Sequence, residues 1–150
     1  MREILFKAKT INGNWVNGLL ANKDDKWYIS NKAGMPFAYD VRPETICQFT
    51  GLCDKNGKKI CENDILMCHG NSEDLVKTVF GEFGVRNIET GSIVDKVVGW
   101  HYEIIPTDAI SRCEPFCYSM PLTKYYIDRC EMEVIGNIFD NKELLQEEHK

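Results

Sequence analysis

The chain has 150 residues, 43% of them hydrophobic, and a formal net charge of -5, which is enough apolar material to bury one sizeable core or two small ones. No charged start leads into an apolar leader, and no run approaches the roughly 18 apolar residues of a spanning helix, so the expectation is a cytoplasmic protein with no membrane contact. Residues 1 to 48 carry seven basic and five acidic side chains and the remainder eleven and eighteen, a balance that disfavours nonspecific binding to a phosphate backbone without forbidding it.

Taken in chain order, Ile4, Phe6 and Ala8 alternate with Glu3, Leu5, Lys7 and Lys9, Asn12-Gly13-Asn14 supplies a turn, and Trp15-Val16 with Leu19-Leu20 returns as a second strand. Asn22 to Lys26 is a polar turn. Trp27-Tyr28-Ile29 is a further strand of aromatic and β-branched residues, broken at Asn31 to Pro36. Val41-Arg42-Pro43-Glu44-Thr45 reads as an extended connector, and a boundary near residue 48 separates an N-terminal β subdomain (1–48) from a second part (49–150).

The stretch "CQFTGLCDKNGKKICEND" holds three cysteines around an Asn-Gly pair. Asp54, Asn56 and Gly57 occupy the first, third and fourth places of a turn, which favours a three-residue hairpin loop ending in a left-handed glycine. Asp54 then lies opposite Lys58 and Leu52 opposite Ile60, whereas a two-residue loop would set Lys55 against Lys58. Cys53 and Cys61 are diagonal in that register, with β-carbons about 7 Å apart against about 3.8 Å in a disulfide. Glycine also comes too early for a calcium loop.

Further on, Ile60 and Ile65-Leu66-Met67 are expected strands and residues 69–74 a polar loop. Leu75 to Phe80 ends at Gly81, with a hairpin expected around Gly81 and Gly84. Asn87 to Gly99 reads as an irregular excursion and Trp100 to Ile105 as a strand. Three prolines interrupt 106–131, where Tyr125-Tyr126-Ile127 fits strand or helix equally. Residues 131–141 read as a last strand bent or bulged at Gly136, after which Asp140 or Asn141 caps a short C-terminal helix through Gln146.

Seven cysteines at irregular spacings suit free, mostly buried thiols. The strongest metal candidate is Cys68-His69 with Cys113 and Cys117, four donors of the type that holds zinc, although the gap between the pairs is long. Glu62 with Asp64 offers a carboxylate pair, set against the plainer reading of solvated acids in a turn. His101, between Trp100 and Tyr102, reads as a satisfied sheet residue. No nucleophile elbow, phosphate loop or dinucleotide fingerprint is present, so no catalytic residue is assigned and no cofactor is expected.

Three blocks, "REILFKAKTINGNWVNGLL", "VRPETICQFTGLCDKNGKKICENDIL" and "EVIGNIFDNKELL", resemble in order and spacing the YopX family of small proteins from phages and prophages of Gram-positive bacteria. The resemblance is weakest over residues 86–130, which read as a divergent insertion. The family pattern has an aromatic where Cys61 stands and glycine where Asn63 stands, and asparagine is the non-glycine residue best able to take positive φ. The resemblance implies a mainly β protein: an N-terminal β-hairpin region, then a small SH3-like barrel with "ENDIL" and "EVIGNIF" as barrel strands.

It implies no activity. The resemblance implies an accessory protein of the bacterial host cytoplasm, and the residues add a noncatalytic protein that works by protein contact or self-association, with Trp15, Trp27, Trp100, Tyr125 and Tyr126 as interface anchors or, equally, as core. The alternative is a nucleic-acid-binding barrel using Lys55, Lys58 and Lys59 at the hairpin tip. A zinc protein or enzyme is the third reading.

Overall fold

The computed structural model describes residues 4–30, 38–87, 89–106 and 120–145. The chain divides into two compact units, 1–51 and 52–150. Both are built of antiparallel strands, so the mainly β class is confirmed.

In the first unit β1 (Phe6–Lys9), β2 (Trp15–Lys23), β3 (Lys26–Ser30), β4 (Tyr39–Asp40) and the start of β5 (Cys47–Cys53) lie in the order β4-β3-β2-β1-β5. The alternation in β1 points Ala8 into a core with Ile29 and Val41, flanked by Phe6, Val16, Leu20, Trp27 and Ile46. The loop from Thr10 to Asn14 closes through Thr10 N–H donating to the Asn14 carbonyl (2.8 Å) and Gly13 N–H to the Thr10 carbonyl (2.9 Å), with Gly13 at φ +91°. Asp24 and Asp25 both take left-handed backbone, φ +52° and +64°, which makes the β2–β3 connection a two-residue turn whose twist matches its strands. The connector before β5 is a single 3-10 turn, Pro43–Thr45. Thr45 secures it, its hydroxyl accepting from Lys9 N–H (2.9 Å) and donating to the Arg42 carbonyl (2.7 Å).

In the second unit the end of β5 forms a hairpin with β6 (Lys59–Cys61), and a four-stranded sheet runs β10-β7-β8-β9. Its strands are β7 (Asp64–Met67), β8 (Leu75–Arg86), β9 (Ile93–Ile104) and β10 (Glu133–Asn137). The unbroken apolar run in β7 has a physical cause. Leu66 belongs to one core with Ile60, Val76, Tyr102, Ile127 and Met132, while Ile65 belongs to another with Leu75 and Ile105, so the strand is buried on both faces. Among the described residues no pairing joins β9 to β10, so the sheet is open there.

The sequence expectation fails most clearly at β8. Gly81 and Gly84 do not turn the chain; β8 runs twelve residues through both of them, and the expected excursion after Asn87 is the first half of β9. The reversal lies at 87–92, where Asn87 Oδ1 accepts from Glu89 and Thr90 N–H and Arg86 holds the Gly91 carbonyl (2.7 Å). Gly81 faces Gly99 across the ribbon, two residues without side chains, and Gly84 faces Lys96. Turn propensity gave way to ten consecutive cross-strand pairs, Val76–Ile104 to Val85–Asp95, with an eleventh, Arg86–Ile93, after a register shift.

Tyr125-Tyr126-Ile127 is helical, in α1 (Lys124–Arg129), with the Thr123 hydroxyl capping Tyr126 N–H (3.2 Å). The bulge expected at Gly136 is present, as the β10–β7 register shifts between Val134 and Gly136. The C-terminal helix is a 3-10 turn, Lys142–Leu145. Asn141 stands immediately before it, its carbonyl accepting Leu144 N–H (3.0 Å), while its side chain turns back to accept Asn137 N–H (3.1 Å).

Candidate functional site

The β5–β6 tip has the three-residue loop and the register read from the sequence. Asp54 N–H donates to the Lys58 carbonyl (2.8 Å), Gly57 N–H to the Asp54 carbonyl (3.0 Å), and Gly57 sits at φ +84°. The same hydrogen-bond pattern closes the Thr10–Asn14 loop, which also carries Asn-Gly in third and fourth place.

What the sequence did not disclose is the reach of Asp54. Its buried carboxylate accepts Asn56 N–H (2.8 Å) and Lys58 N–H (2.9 Å) within the loop, and Val134 N–H (2.8 Å) from β10, eighty positions away. Burial pushes this carboxyl up, but the N–H donors of Val134, Lys58 and Asn56 and the nearby Lys58 charge together outweigh it and hold it below its ordinary value. Lys55 adds a backbone bond to the Met132 carbonyl (3.0 Å) and an ion pair to Glu133 (3.9 Å). Lys55, Lys58 and Lys59 are thus gathered and exposed at the tip, where Lys55 has an acidic partner in Glu133 and Lys58 lies near the Asp54 carboxylate.

Of the metal candidates, Cys113 and Cys117 lie outside the described residues. Cys68 is buried, and His69 is exposed on left-handed backbone, φ +56°, with Nδ1 3.7 Å from Glu131. Burial, then the nearby Asp74 and Cys130, push the Cys68 thiol up to about 12. Burial also raises Cys130 and Asp74. No group of three or more ligand-type side chains forms a metal site among the described residues.

Two other candidates resolve into structure. Asp64 is not a solvated turn acid as expected: it is 1% exposed and accepts Cys61 N–H (2.8 Å), closing a turn in which Asn63 takes φ +70° at the position where glycine was expected from the resemblance. Buried His101 bonds the Gly99 carbonyl (3.2 Å) and Glu103 (3.4 Å) and stacks on Phe83 (4.4 Å), which is the satisfied sheet residue expected.

The five aromatics divide unevenly. Trp27, Trp100 and Tyr126 pack on cores, and Trp15 lies half-buried beneath Lys7 and Lys9. Tyr125 alone of the five is exposed, at 61%.

The larger exposed apolar surface is on the β8–β9 ribbon and, apart from Phe80, is aliphatic. Val98 is 68% exposed, Val94 64% and Phe80 52%, and Ile93 and Val97 are exposed beside them. No residue-type signal singled these out, because a valine-rich strand reads the same whether its side chains are covered or bare.

The model of the YopX protein family matches residues 7–146. The chain belongs to the YopX family. A comparison with curated proteins returned no match. Within this YopX-family chain the three blocks that carry the resemblance fall on β1–β2, on the β5–β6–β7 segment and on β10. The β8–β9 ribbon and α1 lie outside all three. No helix among the described residues is long and apolar enough to cross a membrane.

Proposed function

We propose that this YopX-family chain is a noncatalytic phage accessory protein of the bacterial cytoplasm that acts by protein contact, including contact with copies of itself. The observation that carries this reading is the set of exposed apolar side chains on both faces of the β8–β9 ribbon, Phe80, Ile93, Val94, Val97 and Val98, since a monomeric protein rarely leaves so much apolar surface uncovered on one element. Native mass spectrometry of the full chain across a concentration series tests it. Multiples of the 17.3 kDa chain support it, and a monomer at every concentration, with no protein partner captured through the ribbon, refutes it.

The SH3-like arrangement of 49–150 belongs to the same proposal. It is supported by the pairing of β7, from "ENDIL", with β10, from "EVIGNIF", and cross-strand proton contacts from β9 to another strand of the unit test closure. A nucleic-acid reading draws on the three exposed tip lysines and predicts a mobility shift that weakens steeply with salt; no shift at low salt removes it.

A further inference from the structure

The outer edge of β9 has two different halves. Near its end it is covered by the segment around Pro121: Tyr102 N–H donates to the Met120 carbonyl (3.1 Å) and Leu122 N–H to the Trp100 carbonyl (3.0 Å). From Ile93 to Gly99 no strand of the described residues pairs with it, and β9 is the last strand of its sheet. An exposed edge of this length is a template for another strand unless something guards it.

The covered half fixes the parity of the bare half. In an antiparallel strand each residue sends its N–H and C=O to the same side, alternately left and right. Trp100 and Tyr102 point outward, so Val98 and Lys96 do too, while Val97 and Gly99 point inward to β8, where they face Phe83 and Gly81. The outward Lys96 N–H is occupied by the Asp95 carboxylate (2.8 Å), a local cover that a competing carbonyl can displace.

The geometry points to antiparallel pairing of β9 with β9 of a second copy about a two-fold axis at Val97, an inference that rests on the self-association reading above. In this register Lys96 and Val98 of one copy exchange backbone hydrogen bonds with Val98 and Lys96 of the other. Val97 meets Val97 in the closely spaced, non-hydrogen-bonded position. One face then carries the unbroken row Phe83–Val97–Val97–Phe83.

On the other face each Lys96 lies beside Val98 of the second copy and one strand from its Glu82, since Glu82 faces Val98 within each chain. Opposite charges are therefore brought together twice. Shifting the axis by one residue toward Ile93 would still bring outward-pointing groups to the seam but would set Lys96 directly against Lys96, so it is charge that selects the register at Val97.

Three variants of the full chain test this pairing. Val97→Cys, in a Cys53→Ser, Cys113→Ser, Cys117→Ser background that removes the exposed thiol of the described residues and the two cysteines outside them, should give on mild oxidation a disulfide joining position 97 to position 97, mapped by peptide mass, while Val94→Cys gives little. Val98→Pro deletes one outward N–H at an edge position that tolerates proline and should weaken the dimer at least tenfold. Lys96→Glu should weaken it similarly, and adding Glu82→Lys should restore it. Cross-linking at 97 with dimer loss in Val98→Pro establishes the pairing. A dimer that persists unchanged in both Val98→Pro and Lys96→Glu and does not cross-link at 97 overturns it while leaving self-association standing. A chain that is monomeric throughout removes both.

Discussion

Replacing Asp54 by alanine should be the most costly single change at the β5–β6 tip. Three N–H groups, of Asn56, Lys58 and Val134, lose an acceptor at 2.8 to 2.9 Å. The two loop donors can turn to water, leaving about 1 kcal/mol each, and the half-buried Val134 donor costs about 2 kcal/mol more, so the loss is about 4 kcal/mol. Asp54→Asn keeps one oxygen for the loop but presents an amide N–H to that of Val134, for a loss of about 2 kcal/mol. The folded carboxyl is held below its unfolded value of about 3.9, so its contribution is fully present above that pH and fades as pH falls through the lower folded value. The gap between wild type and Asp54→Asn should be flat above about pH 5 and narrow below about pH 4. Urea unfolding followed by Trp100, in a Trp15→Phe, Trp27→Phe background, reads the second unit by itself. A loss under about 1 kcal/mol for Asp54→Ala, or a gap that does not narrow in acid, refutes the network.

The remaining predictions concern other parts of the chain. A β-carbon at Gly136 would collide with the Asn141 carboxamide, so Gly136→Ala should cost about 1–3 kcal/mol in urea unfolding, part of it recovered when Asn141→Ala is added. Asn63→Gly should be neutral within about 1 kcal/mol, since φ +70° suits glycine, whereas Asn63→Val should cost more than that. Met132→Ala, from a side chain fully buried in the second unit's core, should cost about 2–5 kcal/mol. In native alkylation at pH 8 read by peptide mass, Cys53 should react well ahead of Cys68, whose thiol is buried and raised to about 12; equal rates would remove the pocket around Cys68.

Much of the fold was written locally. Two Asn-Gly loops, the alternation of Phe6 and Ala8, the paired aspartates before β3 and the bulge at Gly136 all follow from backbone preferences or a period of two, each confined to a few neighbouring residues. The register of the β5–β6 hairpin was legible for the same reason, because one glycine and one pair of like charges decide it.

Tertiary structure decided what neighbours cannot. Gly81 and Gly84 carry turn signals, and only the strand opposite makes them ribbon residues. Tyr125-Tyr126-Ile127 fits two conformations until Ile127 and Tyr126 find the core. Asp54 reads as a turn residue, and only the return of β10 gives its second oxygen a donor. Whether Val94, Val97 and Val98 are covered depends on what lies beyond them in space, and no property of a valine encodes that.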